Sequence, residues 1–356
     1  PATKLNNFRI FAKIIFRMKV KKWAVWTIAA GLFCCVVLGV GVWQYYGASA
    51  VKRDAVVLIP TGSDFSRVMD SLRAGDLLRN ETLFRTMARA KGLDRRVSPG
   101  RYELKQGMGY SEVINRIQSG LQSPVRITFH NIRTMDRLAA VLSRQIELDS
   151  MTLVEAFTND SIVAAYDYTP QTFMAMFIPN TYEVYWNCSV DDLLQRMKRE
   201  SDRFWASRDA KLARCGLTRN EVITLASIVY EETKRQSEMP VVAGVYINRL
   251  RRGMPLQADP TVKFALGDFS LRRILHKHLE VDSPYNTYRV TGLPPGPICM
   301  PSIAAIDAVL NYQEHDYLYF CAKEDLSGAH NFARTLAEHN RNARAYAAAL
   351  NRLKIR

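Results

Sequence analysis

The chain has 356 residues, 48% of them hydrophobic and 23% charged, a balance that excludes a largely disordered protein and leaves room for a membrane anchor and two modest domains. Its net charge of +15 is unevenly spread: Lys4, Arg9, Lys13, Arg17, Lys19, Lys21 and Lys22 sit in the first 22 residues, where there is no acid. The remaining basic excess suits an anionic polymer or an anionic membrane surface, and no zinc finger, RNP-type motif or basic helix with interleaved aromatics speaks for nucleic acid.

Residues 23–43 (WAVWTIAAGLFCCVVLGVGVW) carry no charge. As a helix they would rise roughly 31 Å, about the hydrocarbon thickness of a bilayer. Trp23, Trp26, Trp43, Tyr45 and Tyr46 lie near the ends, where amphipathic rings suit the interface. The basic tail, residues 1–22, should then stay cytoplasmic and the body should lie outside. Ala48-Ser49-Ala50 resembles a signal cleavage site, but the apolar run exceeds the usual signal h-region of about 7–15 residues, so the expectation is an uncleaved single-pass anchor.

Beyond a short polar connector, residues 55–60 (AVVLIP) read as a strand. Ser63 or Asp64 can cap a helix bearing Phe65, Val68, Met69 and Leu72, and Asn80 a second bearing Leu83, Phe84, Met87 and Ala88. Residues 100–105 (GRYELK) alternate like a short strand, giving a compact β-α-α-β pattern. A helix over 111–118, a strand over 125–129 and helices over 134–144 and 152–157 follow. Residues 177–183 look like an aromatic-rich loop, and 190–204 like a helix. From 218 to 301, polar residues, prolines and glycines alternate with short apolar runs, the texture of functional loops.

Thr218-x-x-Glu221 is a capping-box signature. The helix it starts carries Val222, Leu225, Ala226 and Val229 as one apolar stripe. Stepping by 100° per residue places Glu231 almost opposite the stripe, free to pair with Arg235, and Glu232 on the stripe's edge. A partly desolvated carboxyl there should hold its proton to higher pH, as a general acid must. A structural alternative is an ion pair between Glu232 and a nearby arginine such as Arg249.

Residues 225–267 (LASIVYEETKRQSEMPVVAGVYINRLRRGMPLQADPTVKFALG) closely resemble the MltG/YceG-like endolytic murein transglycosylase family. The likeness continues at SPYNTYRVTGLPPGPICMPS (283–302), YLYFCAKEDLSGAHNFARTLAEHN (317–340) and, upstream, FIPNTYEVY (177–185). The resemblance implies an α+β chain with a transmembrane helix at 23–43, a small LysM-like β-α-α-β module at 50–122 and a mixed α+β YceG-like catalytic domain at 123–356. It also implies a bacterial inner (cytoplasmic) membrane location with the catalytic domain periplasmic or extracytoplasmic.

The family's essential glutamate falls on Glu232 within Ala226-Ser227-Ile228-Val229-Tyr230-Glu231-Glu232-Thr233; Tyr230 replaces the family's first Glu. Met239, Asn180 and the Cys299-Met300-Pro301-Ser302 ending are further departures. The implied activity cuts the β-1,4 bond between N-acetylmuramic acid and N-acetylglucosamine in nascent glycan strands and leaves a 1,6-anhydro end, so terminating elongation. Glu232 would act first as acid and then as base.

Glu238 and Asp259, within matching motifs, and Asn248, Gln257, Thr261, Tyr285, Asn286, Thr287 and Tyr288 are the expected substrate-binding set. Turn initiation at Asp259-Pro260 and loop hydrogen bonding by the amides, hydroxyls and rings are equally open, and Gly292-Leu293-Pro294-Pro295-Gly296 is either a rigid cleft wall or a structural turn. His330 can line the cleft, though a satisfied structural histidine is the plainer reading. No HExxH, P-loop or G-x-S-x-G occurs, and His276 and His278 lack a spaced third ligand, so no metal and no cofactor is expected. Cys188, Cys215, Cys299 and Cys321 show no zinc spacing and leave the pairing open, with buried free thiols the simpler state. Expected partners are peptidoglycan strands, the bilayer and cell-wall synthases. Two rival classes stay open: a muramidase that uses water with Asp259 or Glu238 as the second carboxylate, and a non-catalytic glycan-binding scaffold.

Overall fold

The computed structural model describes residues 22–271 and 273–352, in two compact units, Pro1–Ser123 and Pro124–Arg356. The basic tail expected over 1–22 lies, but for Lys22, outside the described residues, as do the side chains of Trp23, Tyr45 and Tyr46. The first unit opens with helix α1 (Lys22–Tyr46). Its apolar stretch, Val25–Trp43, is nowhere buried in protein, and at 19 residues it is long enough to cross the hydrocarbon of a bilayer.

Strand β1 (Ala55–Ile59) leads to α2 (Phe65–Ala74), α3 (Glu81–Lys91), β2 (Gly100–Leu104) and α4 (Tyr110–Ser119). β1 and β2 pair antiparallel with Val57 opposite Tyr102. The alternation read over 100–105 is present, and in the paired register Val57, Ile59, Tyr102 and Leu104 point inward, onto Leu72 and Phe84 of the helices. Asp64, not Ser63, caps α2, its Oδ1 accepting from Arg67 N at 2.9 Å. Asn80 caps α3 in the same way through Leu83 N, at 2.9 Å.

In the second unit, β3 (Val125–Phe129) is followed by α5 (Met135–Leu142), α6 (Ser150–Thr158), α7 (Asp160–Ala164) and a 3-10 turn at Phe173–Met176. The run expected to be a loop is in fact strand β4 (Asn180–Val184), antiparallel to β3 with Ile127 opposite Tyr182. Tyr182 and Val184 are buried while Thr181 and Glu183 face out beside Thr128 and Arg126. Its five residues thus alternate as a half-buried strand should, against a partner some fifty residues upstream. Helices α8 (Val190–Ala206) and α9 (Asp209–Cys215) lead to α10 (Arg219–Glu232), α11 (Met239–Arg251) and α12 (Asp259–Leu266). The chain ends with α13 (Ile303–Leu310), a two-stranded hairpin β5 (Tyr319–Ala322) and β6 (His330–Ala333), and α14 (Leu336–Arg352).

α10 packs against both α11 and α13. Every residue from Val222 to Val229 is buried, so it is a core helix enclosed all round rather than one with a single apolar stripe. The expected capping box is present, Glu221 N donating to Thr218 Oγ1 and Glu221 Oε2 accepting from Thr218 N at 2.7 Å. The loop before α13 is fixed to this helix: Ile298 N donates to Ser227 Oγ at 3.0 Å. At Gly296 the same loop lies so close to the chain at Gln171 that a Cβ would overlap that residue's backbone carbonyl. Gly296→Ala should therefore cost about 1–3 kcal/mol of stability; an unchanged urea midpoint would rule out the close approach. All six cysteines are free thiols.

Candidate active site

Glu232 is the last residue of α10, one step before the chain leaves the helix at Thr233. The core helix thus carries a carboxyl to the edge of the packed interior. Among the described residues Glu232 forms no ion pair, and the alternative partner Arg249 is engaged elsewhere. One oxygen, Oε1, accepts a hydrogen bond from Tyr246 Oη at 2.9 Å. The other, Oε2, has no hydrogen-bond partner among the described residues and is not among the sealed polar atoms, so it faces solvent. Burial pushes the carboxyl up to about 7. The Tyr246 hydrogen bond opposes that rise, the charge of Asp259 adds to it, the Lys263 ammonium opposes it and Glu231 adds to it. A carboxyl that titrates near neutrality is equipped to give a proton and then take one back.

Tyr246 is a further candidate at this site that nothing in the sequence singled out. It lies on α11, fourteen positions beyond Glu232, among residues that are almost all buried, so its apolar surroundings gave no cue to its hydroxyl. Its ring is closed off by Phe320, edge-on at 5.9 Å, and desolvation holds the phenol well above its usual range. It is therefore a fixed donor that clamps one face of the carboxyl.

The expected substrate-binding set divides in two. Gln257, Asp259, Tyr285 and Tyr288 keep exposed surface. Asp259 opens α12, and its Oδ1 accepts from Tyr288 Oη at 2.6 Å. Gln257 adopts a left-handed backbone (φ 51°), a costly conformation for a non-glycine. It is held there by Gln257 N donating to Thr287 O at 3.0 Å and by Arg249 Nη1 donating to its Oε1 at 3.2 Å. Tyr285 stacks on Phe264, ring centroids 4.7 Å apart.

The others turn inward. Thr261, Asn286 and Thr287 are buried. Thr261 Oγ1 meets Thr287 Oγ1 at 2.8 Å, and Ala258 N donates to Thr287 Oγ1 at 3.0 Å. Asn286 Nδ2 donates to Leu279 O and Val281 O, both at 2.8 Å. Asn248 Nδ2 donates to His315 O at 2.6 Å and Tyr317 O at 3.1 Å. Polar side chains in a loop-rich segment suggested sugar contacts; here they satisfy buried backbone groups instead.

Glu238 likewise faces protein: it accepts from His330 N at 3.1 Å and lies 2.8 Å from His330 Nδ1. That pair fastens the start of α11 to β6 and engages His330 with protein. Glu231 is not paired with Arg235. Its carboxylate lies between Arg133 Nη2 at 2.8 Å and Lys234 Nζ at 3.2 Å. Tyr230 supports Lys234, whose ammonium sits 3.6 Å from the ring centroid. Asn180 stands at the rim of a different groove, with Glu200, Arg203 and Phe204. Among the described residues no three His, Cys, Asp or Glu side chains converge as a metal-ligand set.

A family model described as the YceG-like family matches residues 57–345. The chain is 30% identical over 319 residues to an endolytic murein transglycosylase of Bacillus subtilis (strain 168), spanning 84% of this chain and 87% of that protein. It is 27% identical, over 82% of its own length, to an endolytic murein transglycosylase of Streptococcus pneumoniae serotype 2, but spans only 58% of that relative. A crystal structure of a putative YceG-like protein from Listeria monocytogenes aligns with a TM-score of 0.53 at 28% identity, over 82% of this chain and 99% of that one.

Proposed function

The chain belongs to the YceG-like family, and from that premise we propose that it is a membrane-anchored endolytic murein transglycosylase. It cleaves the β-1,4 bond between N-acetylmuramic acid and N-acetylglucosamine in nascent glycan strands, leaves 1,6-anhydro ends and so terminates elongation. The observation that carries this reading is the carboxyl of Glu232, with one oxygen clamped by Tyr246, the other open, and its proton held up to about pH 7.

The chemistry needs one such group. Glu232 first donates its proton to the glycosidic oxygen as the bond to C1 breaks, releasing the N-acetylglucosamine-ended fragment with a free hydroxyl. The carboxylate then takes the proton of the C6 hydroxyl while that oxygen bonds to C1. The acid is regenerated and no water is consumed. Acid–base assistance of this kind contributes about 10²–10⁴-fold, and the nucleophile is already tethered in the substrate. Gln257, Asp259, Tyr285 and Tyr288, which keep exposed surface in this segment, are the candidates to line the sugar. The helix over 23–43 anchors the protein in the cytoplasmic membrane with its N-terminus inside and the catalytic domain outside. Residues 50–122 serve as a LysM-like module, and cell-wall synthases are the natural neighbours of an enzyme acting on nascent strands.

The test is digestion of purified sacculi by the full-length chain in detergent, followed by sizing of the soluble products. Internal cutting yields fragments several disaccharides long; release of single disaccharides alone would contradict an endolytic enzyme. A finer expectation concerns Tyr246→Phe. Removing a donor from the carboxylate raises the Glu232 pKa further, so the alkaline limb of kcat/KM moves to higher pH. The rate at the new optimum falls about tenfold, the worth of one hydrogen bond. A pH profile identical to that of the wild type would deny Tyr246 this part. The nearness of Asp259 supports a second reading, hydrolysis by a water activated at that carboxylate, and the chemistry of the new ends separates the two.

A further inference from the structure

Beside the catalytic helix, a recess of about 50 Å³ is lined by Arg133, Glu231, Pro260, Lys263, Phe269 and Ile298. Its charges are not balanced. Both oxygens of Glu231 already face cations, Oε2 toward Arg133 and Oε1 toward Lys234. Arg133 lies over the Phe269 ring, 5.1 Å from its centroid, which directs the guanidinium along the wall. Asp259, one turn before Lys263 on α12, accepts from Tyr288 instead. Lys263 thus forms no ion pair among the described residues, although it sits close enough to Glu232 for its charge to act on that carboxyl. A partly buried ammonium without an ion-pair partner, beside a second cation and against Pro260, Phe269 and Ile298, is a place where an anion is stabilised more than in water.

We propose that this recess is an anion subsite in which Lys263, backed by Arg133, receives a carboxylate of the glycan strand next to the bond that Glu232 cleaves. The inference rests on the transglycosylase reading and deepens it. The recess exceeds the roughly 10–15 Å³ that one water needs, so a group of a few atoms such as a carboxylate fits in it. Two sources carry such a group on murein: the lactyl ether of a muramyl residue stripped of its peptide, and the stem peptide itself.

The experiment compares kcat/KM of the full-length chain for three strands of equal length: peptide-free strands with free lactyl carboxylates, the same strands after conversion of those carboxylates to neutral methylamides, and strands with intact stem peptides. The wild type is expected to prefer a carboxylate-bearing strand over the neutral one by about fivefold. Preference for the first identifies the lactyl group and preference for the third the peptide. Lys263→Met and Lys263→Gln should abolish the preference and Lys263→Arg should keep most of it. Loss of the ammonium also lets the Glu232 carboxyl rise, but that acts on all three strands alike and cancels in the ratios. A wild type without preference, or a Lys263→Met enzyme that retains it, overturns the subsite while leaving transglycosylase activity standing. Failure of the wild type to cleave any of the three overturns the underlying reading and the subsite with it.

Discussion

Glu232→Gln is expected to lower glycan cleavage by about 10³-fold or more while leaving the fold intact. Glutamine keeps the shape of the side chain, and its carbonyl oxygen can still accept from Tyr246 Oη, the contact seen at Glu232 Oε1. What it lacks is the proton. The same substitution should reveal what the acid costs the fold. The native carboxyl titrates near 7, against about 4.5 for a free one, so the folded state binds the proton more tightly than the unfolded state. The wild type therefore has its full stability from this group below about pH 4.5 and loses it as the pH rises through 7, by up to about 3 kcal/mol. The amide has no such loss. Unfolding monitored at pH 5 and pH 8 should show the variant gaining on the wild type at the higher value. A variant that still cuts glycan, or one whose relative stability is the same at both values, would remove Glu232 from the role of buried acid.

Arg249→Met should be the most damaging change for the fold of this region, at about 3–5 kcal/mol. Arg249 is buried on α11 and has no carboxylate partner among the described residues. Its Nε donates to Leu318 O at 2.7 Å, and its Nη1 donates to Leu256 O at 2.9 Å and to Pro255 O and Gln257 Oε1 at 3.2 Å. A methionine fills much of the space but leaves three backbone carbonyls and the Gln257 amide oxygen without this donor, each buried carbonyl costing about 1–3 kcal/mol. The loop it holds leads directly into Asp259, whose charge acts on Glu232, so activity should fall together with stability. Thermal unfolding should drop by on the order of 10 °C, and a midpoint within 2 °C of the wild type would show that the carbonyls find other partners.

How far this was legible in the sequence depended on the range of each interaction. Asp64, Asn80 and the Thr218–Glu221 box act over three residues, and each announces a helix start that the structure contains. β1, a short apolar run, and β2, which alternates, lie where the pattern put them. β4 was hidden because its five residues sit in an aromatic run and its partner lies far upstream. Glu232 was singled out by helix position and by motif as a carboxyl at the edge of an apolar face, and burial does raise its pKa, though not for the reason the stripe suggested. The helix is enclosed on all sides, and burial raises the carboxyl while the Tyr246 hydrogen bond opposes it. Asn248, Thr261, Asn286 and Thr287 were identified as polar residues in a chemically rich segment. Nothing local distinguishes an amide that meets a sugar from one that meets the backbone carbonyls of Leu279 and Val281.

The central claim is that one carboxyl, Glu232, both breaks the glycosidic bond and closes the anhydro ring. The most direct measurement is mass spectrometry of the strand ends produced from purified sacculi by the full-length enzyme. The account predicts 1,6-anhydro-N-acetylmuramic acid at the new ends, eighteen mass units (about one water) lighter than the hydrolytic product, and none above background with Glu232→Gln. Reducing N-acetylmuramic acid ends would contradict it and point instead to water activated at a second carboxylate such as Asp259.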